Sequence, residues 1–250
     1  MKTLTQILFS IIVSTLLVLP ATAQVSPKVQ SLFYQGYLSA DKALWTQAIK
    51  TIENASLEEI DELEAVTEAQ TGLLICALAH QDQALYDEVA DPLESNLEAL
   101  LEHDETDARS LAKLANLNST TMAFQRWKAM YLSPTNEKLV ERALEANPKS
   151  PEAWMQRGGA LYFTPETFGG DVDQAIVAFQ KAVTYYEAQP NYTKNWRYLD
   201  ALAWLGQAYQ KADRPAEATK TFQQALKIEP DFGWVKYQLL PQVTAQTLEK

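Results

Sequence analysis

Two histidines, one cysteine and 32 carboxylates are the residues of this 250-residue chain best suited to chemistry. His80 and His103 stand alone, with no His-Glu-x-x-His and no Cys/His spacing that would hold a metal. No Gly-x-Ser-x-Gly elbow presents a nucleophile, and no glycine-rich loop with a lysine cradles a phosphate. A glycosidase-like acid pair could be drawn from almost any two of the carboxylates, and that abundance empties the pairing of meaning. Calcium would need alternating Asp/Asn ligands around a glycine, which no loop supplies. These residues point away from an enzyme, a cofactor or a resident metal, and toward binding or scaffolding.

Charge is distributed unevenly. Between Thr51 and Ala108 there are 17 acidic residues and no Lys or Arg, whereas from Arg109 onward 17 basic residues face 14 acidic ones. The first region projects a negative field that repels nucleic acid and anionic lipid and could attract a basic partner. Glu58, Glu59, Glu62, Asp87, Glu94 and Glu98 also alternate with Leu and Ala, as the solvated faces of amphipathic helices do.

The elements that must position any site are helices. Ala, Leu, Gln, Glu and Lys fill the periodic stretches, and strand patterning is nearly absent. Ser26-Pro27, Ser133-Pro134 and Ser150-Pro151 each place a capping hydroxyl before a proline suited to a first helical turn. Leu202, Leu205, Gly206 and Tyr209 form one helical stripe, and Ala218, Phe222 and Ala225 form a second, ended by Pro230. The order Leu202, Leu205-Gly206, Tyr209, Ala218-x-x-x-Phe222, Pro230 resembles the tetratricopeptide repeat.

Weaker copies precede it. Ala175-x-x-x-Phe179-x-x-Ala182 follows a helix with Trp154, Gly158 or Gly159, and Tyr162; Val140-x-x-Ala143 with Pro148 matches the end of another. Gly36 precedes Ala48-x-x-x-Ile52-x-x-Ala55 at the interval that separates Gly206 from Ala218. The expectation is an all-α fold, a right-handed superhelical array of antiparallel helix hairpins, with four recognisable hairpins and a capping helix over Phe232–Leu240. Residues 24–250 form one domain, with degenerate repeats over 24–135, clearer ones over 136–232, and a capping helix and tail over 232–250. Two long helices are expected from Ser56 to Leu101, with Pro92 in the later one, and a third helical region from Thr106 to Tyr131 broken near Asn118-Ser119-Thr120.

Residues 1–23 read as a secretory signal peptide: basic Lys2, an apolar run from Ile7 to Leu19, and Ala21-Thr22-Ala23 before Gln24. No cysteine follows that site to carry a lipid, and no later stretch suits a transmembrane segment, so a periplasmic or secreted location is expected. Cys76 lies in an apolar run and reads as a small buried hydrophobe.

In tetratricopeptide arrays the first helix of each hairpin lines a concave groove, which implies binding positions at Met155, Tyr162, Phe163, Gln207, Gln210 and Lys211, with Ala203 among them. Aromatics with amides suit an extended or helical peptide. The Lys/Asn clamp that the family uses for C-terminal carboxylates is not reproduced. The turn Pro165-x-x-Phe168-Gly169-Gly170-Asp171 resembles one in exported bacterial repeat proteins, including a component associated with periplasmic solute transporters. The turn itself reads either as a clamp using Phe168 at the groove edge or as a tight turn capped by Asp171. Two functions are thus expected: an interaction scaffold of the bacterial cell envelope, or a transporter-associated protein holding a small apolar solute.

Overall fold

The computed structural model describes residues 25–248; the signal-peptide expectation for 1–23 lies outside them. The described residues fold into eleven α-helices: α1 (Pro27–Ser39), α2 (Lys42–Glu53), α3 (Glu59–His80), α4 (Gln83–His103), α5 (Ala108–Phe124), α6 (Ala129–Ala146), α7 (Pro151–Phe163), α8 (Val172–Glu187), α9 (Trp196–Lys211), α10 (Pro215–Ile228) and α11 (Leu240–Leu248). Short connections fold them into five antiparallel hairpins, α1/α2 through α9/α10, and each hairpin packs on the next. The odd-numbered helices also touch in series, α1 on α3, α3 on α5 and α5 on α7.

Local chemistry explains the boundaries. Ser26 Oγ accepts from the Val29 amide at 3.4 Å and Ser150 Oγ from the Ala153 amide at 3.2 Å, satisfying donors that the first turns of α1 and α7 would leave unpaired. Asp82 and Asp107 do the same for α4 and α5, accepting from the amides of Leu85 at 3.0 Å and Ser110 at 2.9 Å. Ser133-Pro134 does not start a helix. A 3₁₀ turn at Arg126–Lys128 leads into α6 at Ala129, so Pro134 sits inside the helix, where the carbonyl it leaves unpaired belongs to Met130 on an exposed first turn.

Each clear repeat is fixed by a glycine under an aromatic ring. A Cβ on Gly206 would overlap the Phe222 ring, and one on Gly158 would come within 2.6 Å of Phe179, whereas Gly159 has open space. Gly158 is therefore the repeat glycine of the α7/α8 hairpin. In the first hairpin Trp45 of α2 takes the aromatic role, fully buried between Gly36 of α1 and Gly72 of α3. Such close approaches let the interior reach crystal-like packing density.

The expected count of four hairpins becomes five. The long α3/α4 pair is a full hairpin whose second helix lacks the Ala-x-x-x-Phe signature, so its membership is not visible from spacing. Helix α5 runs unbroken through Asn118-Ser119-Thr120 and ends at Gln125; Thr120 is buried and Asn118 nearly so, and tertiary packing overrides their weak helix preference. The capping segment extends beyond Leu240: a π-helical stretch, Val235–Leu239, leads into α11.

The array bends until its ends meet. Helix α9 of the last hairpin packs on α1 of the first. Tyr37 stacks 5.1 Å from Trp196 and 5.7 Å from Phe232, Trp45 lies edge-on to Trp196 at 5.5 Å, and the Tyr34 hydroxyl donates to Glu229 at 3.1 Å. The inner face of the first helices is thus core rather than groove. Ala203, expected in the groove, is fully buried there.

Candidate functional site

Closure of the array takes ionisable groups inside. Glu68 of α3 receives both arms of the Arg197 guanidinium from α9, at 2.7 and 2.8 Å, and lies 3.5 Å from the Lys113 ammonium of α5. Lys113 is buried and also donates to the Thr67 hydroxyl at 2.8 Å and the Glu64 carbonyl at 3.3 Å. Arg109 adds a pair with Glu64 at 3.6 Å. Burial pushes the Glu68 carboxyl up, but Arg197 and Lys113 outweigh it and hold the group down at about 2. Burial lowers Lys113 to about 8 despite the attraction of Glu68. Two cations around one carboxylate, each with hydrogen-bond partners, tie three hairpins together; the cluster is structural, since its donors are spent on each other.

Beside it, Asp200 of α9 accepts from the Tyr37 hydroxyl at 2.9 Å. Burial raises its carboxyl to about 6, and hydrogen bonds from Tyr37 and the Trp204 side chain limit the rise.

With the inner face sealed, the accessible aromatic surface lies on the rim. At the C-terminal end of α7, Phe163 and Tyr162 meet edge-to-face at 4.9 Å; Trp204, midway along α9, lies 5.3 Å from Phe163 and 5.9 Å from Tyr162, and Trp234 continues the series 5.7 Å from Trp204. Phe163 is 66% exposed, while Tyr162, Trp204 and Trp234 are half-buried, so the rings form steps with accessible edges. Lys211 lies 4.3 Å from the centre of the Tyr162 ring and donates to the Tyr162 carbonyl, closing the C-terminal end of α7 with a cation. Burial pushes the Tyr162 hydroxyl up from its usual value. Gln207 stands three residues after Trp204 and four before Lys211, hence on the same stripe of α9, and its Nε2 is buried without a hydrogen-bond partner among the described residues. A buried amide donor without a partner costs free energy in the folded chain.

Of the positions expected from sequence, Tyr162, Phe163, Gln207 and Lys211 share this rim. Met155 is half-buried and packs against the main core, and Gln210 is half-buried one residue from Lys211. Phe168 is 81% exposed at the tip of the α7/α8 turn, outside the ring cluster. That turn is a built structure: Gly169 has φ +94°, a Cβ on Gly170 would overlap the Thr164 carbonyl, and Asp171 Oδ1 caps α8 by accepting from the Gln174 amide at 2.9 Å. Sequence reasoning does not single out Trp204 and Trp234 as site residues and misses their part in the rim. The available signal is Trp204 lying seven residues before Lys211, two turns along one face.

Two open clefts lie elsewhere. One of about 290 Å³ is bordered by Glu105, Arg142 and Glu145, and one of about 410 Å³ by Leu57, Leu63 and Val66 with acidic neighbours. Among the described residues no group of His, Cys, Asp and Glu is arranged to hold a metal ion, and no helix is long and apolar enough to cross a membrane.

A family model described as tetratricopeptide repeat matches residues 199–232, which span most of α9, all of α10 and the start of the capping segment. No curated protein matches the sequence. Among solved structures, the HusA haemophore from Porphyromonas gingivalis is similar with a TM-score of 0.60 at 17% identity, over 75% of this chain and 94% of that one. A thermophilic tetratricopeptide-repeat protein from Thermus thermophilus is similar with a TM-score of 0.53 at 18% identity, over 88% of this chain and 95% of that one. At such identities the likeness is one of fold. The chain therefore carries a tetratricopeptide repeat at residues 199–232 and folds as a solenoid of the tetratricopeptide type.

Proposed function

We propose that this protein is an exported, non-catalytic scaffold of the bacterial cell envelope that holds a segment of a partner protein on the rim formed by α7, α9 and the capping segment. The observation that carries this reading is the pairing of stepped aromatic edges, with Phe163 exposed, and one cation, Lys211, at the same rim. Aromatic anchors beside a fixed cation suit an extended peptide, whose side chains fill the steps while a carbonyl or carboxylate faces Lys211. Export rests on residues 1–23 and on the resemblance of the Pro165–Asp171 turn to those of exported repeat proteins. The acidic faces of α3 and α4 would draw in a partner of basic character.

A second reading, a small apolar solute stacked on the same ring series, shares the aromatic observation but leaves Lys211 unused unless the solute carries an acceptor. Affinity capture from an envelope extract, with mass spectrometry of retained proteins and small molecules, separates the two. The scaffold reading predicts proteins retained by the native chain and lost with Phe163→Ala and with Trp204→Ala. Retention of the same proteins by both variants overturns it, and a small molecule lost with the variants in place of any protein establishes the second reading.

A further inference from the structure

The binding rim leaves two other surface features unused, and they complement each other. The 3₁₀ turn Arg126–Lys128 and the first turn of α6 present Trp127, 68% exposed, Met130, 85% exposed, and Tyr131 in one ridge, with the Trp127 and Tyr131 rings 5.9 Å apart. Arg126 and Lys128 flank it, Lys128 lying 5.9 Å from the Trp127 ring centre, and the sequence holds no acid between Asp107 and Glu137. Within a chain of net charge −11 this is a cationic, apolar island. The open cleft of about 410 Å³ at the start of α3 is the reverse: apolar Leu57, Leu63 and Val66 line it together with the carboxylates of Glu53, Glu59 and Glu62. That volume lies in the range of about 300–1,000 Å³ that takes a large side chain or small ligand.

The two features cannot meet within one chain. Phe124, at the end of α5, stacks on Tyr86 at the start of α4, which puts the ridge at that end of the α3/α4 hairpin. Asn96, in the second half of α4, borders the cleft and donates to Gln70 of α3, which puts the cleft toward the opposite end. We propose that a second copy of this chain is the occupant: the ridge of one copy seats Trp127 and Met130 in the partner's cleft, with Arg126 and Lys128 against its glutamates. The opposed charges select this orientation over ridge-on-ridge or cleft-on-cleft contacts, which would set like charges together. An anionic bilayer would suit the ridge as well, but the acidic face carried by the same molecule opposes close approach to such a surface and favours the cleft.

Sedimentation velocity of the purified chain over a concentration series at low and high salt tests this. The expected result is concentration-dependent association that weakens as salt rises, because exposed charges are screened within about 8–10 Å near physiological ionic strength. Trp127→Ala with Met130→Ser removes the ridge, and Glu59→Gln with Glu62→Gln neutralises the cleft. Circular dichroism checks that both variants stay folded. Each variant alone should associate at least about tenfold more weakly than the native chain, a change equivalent to about 1.4 kcal/mol. An equimolar mixture should regain a one-to-one complex, because each variant keeps one intact half of the contact. A native chain monomeric at all concentrations, or a mixture that fails to associate, overturns the proposal. Binding of the native chain to phosphatidylglycerol vesicles, lost in the ridge variant while the chain stays monomeric, assigns the ridge to a membrane instead.

Discussion

Replacing Glu68 by Gln should be the most damaging isosteric change in the molecule. The carboxylate is one-fifth exposed, and it is held at about 2 against an ordinary value of 4.5. That gap corresponds to about 3 kcal/mol in favour of the ionised form in the folded chain. Gln keeps the shape but leaves the Arg197 and Lys113 cations facing each other without their counter-charge, so a loss of about 3–5 kcal/mol is expected at neutral pH. For a chain of this size that is roughly 6–20 °C in Tm. Because the folded value lies below the unfolded one, the contribution of Glu68 is complete above about pH 4.5 and disappears as pH falls toward 2. Denaturant unfolding at pH 7 and at pH 3 should therefore show a gap between native and Glu68→Gln chains that narrows with acid. Replacing Glu68, Lys113 and Arg197 together by Met should recover much of the stability, since the desolvation cost of all three charges goes with them. A Glu68→Gln chain within about 0.5 kcal/mol of the native one at pH 7 would refute the closure of the array through this cluster.

Gly206→Leu should cost about 1–3 kcal/mol or more by forcing a side chain into the Phe222 ring, whereas Gln207→Leu one position on removes a buried unpartnered amide and should leave the chain at least as stable as the native one; equal melting temperatures would show the repeat register to be wrong. Asp200→Asn should stabilise the chain by at most about 3 kcal/mol at pH 7–8. The carboxyl is raised from 3.8 to about 6 in the folded state, so its cost grows as pH rises through that window; the gain should vanish below about pH 4 in thermal melts, and a pH-independent gain would contradict the assignment. Cys76, whose thiol burial pushes up to about 11, should resist alkylation at pH 8 until denaturant is added, and rapid labelling of the native chain would place it outside the core.

The hairpins are legible where a small residue and an aromatic recur at fixed spacing, because Gly206 with Phe222 and Gly158 with Phe179 are local contacts within one hairpin. The α3/α4 hairpin reads as two long helices inside the degenerate stretch but without the repeat spacing, since Trp45 of the neighbouring hairpin supplies the ring that packs on Gly72. Closure is not legible: Tyr37 with Asp200, Tyr34 with Glu229 and Arg197 with Glu68 join residues more than a hundred positions apart, and nothing local in the sequence records such contacts. Lys113 looks like any solvated lysine, although it follows Leu111 and Ala112 in an apolar stretch. At the rim, helical spacing finds Tyr162, Phe163, Gln207 and Lys211. Trp204 and Trp234 are not singled out, because half-buried tryptophans and buried ones have the same sequence signature.

Hydroxyl-radical footprinting of the native chain tests most directly the claim that the inner face is sealed and the rim is the accessible surface. The closed array predicts that Trp45, Trp196 and Tyr37 are oxidised far more slowly than Phe163, Trp127 and Tyr237 in the same sample, as their burial requires. Oxidation of Trp196 and Tyr37 at the rate of Trp127 would mean that α1 and α9 stand apart, that the first helices line an open groove, and that the binding surface assigned to the rim belongs there instead.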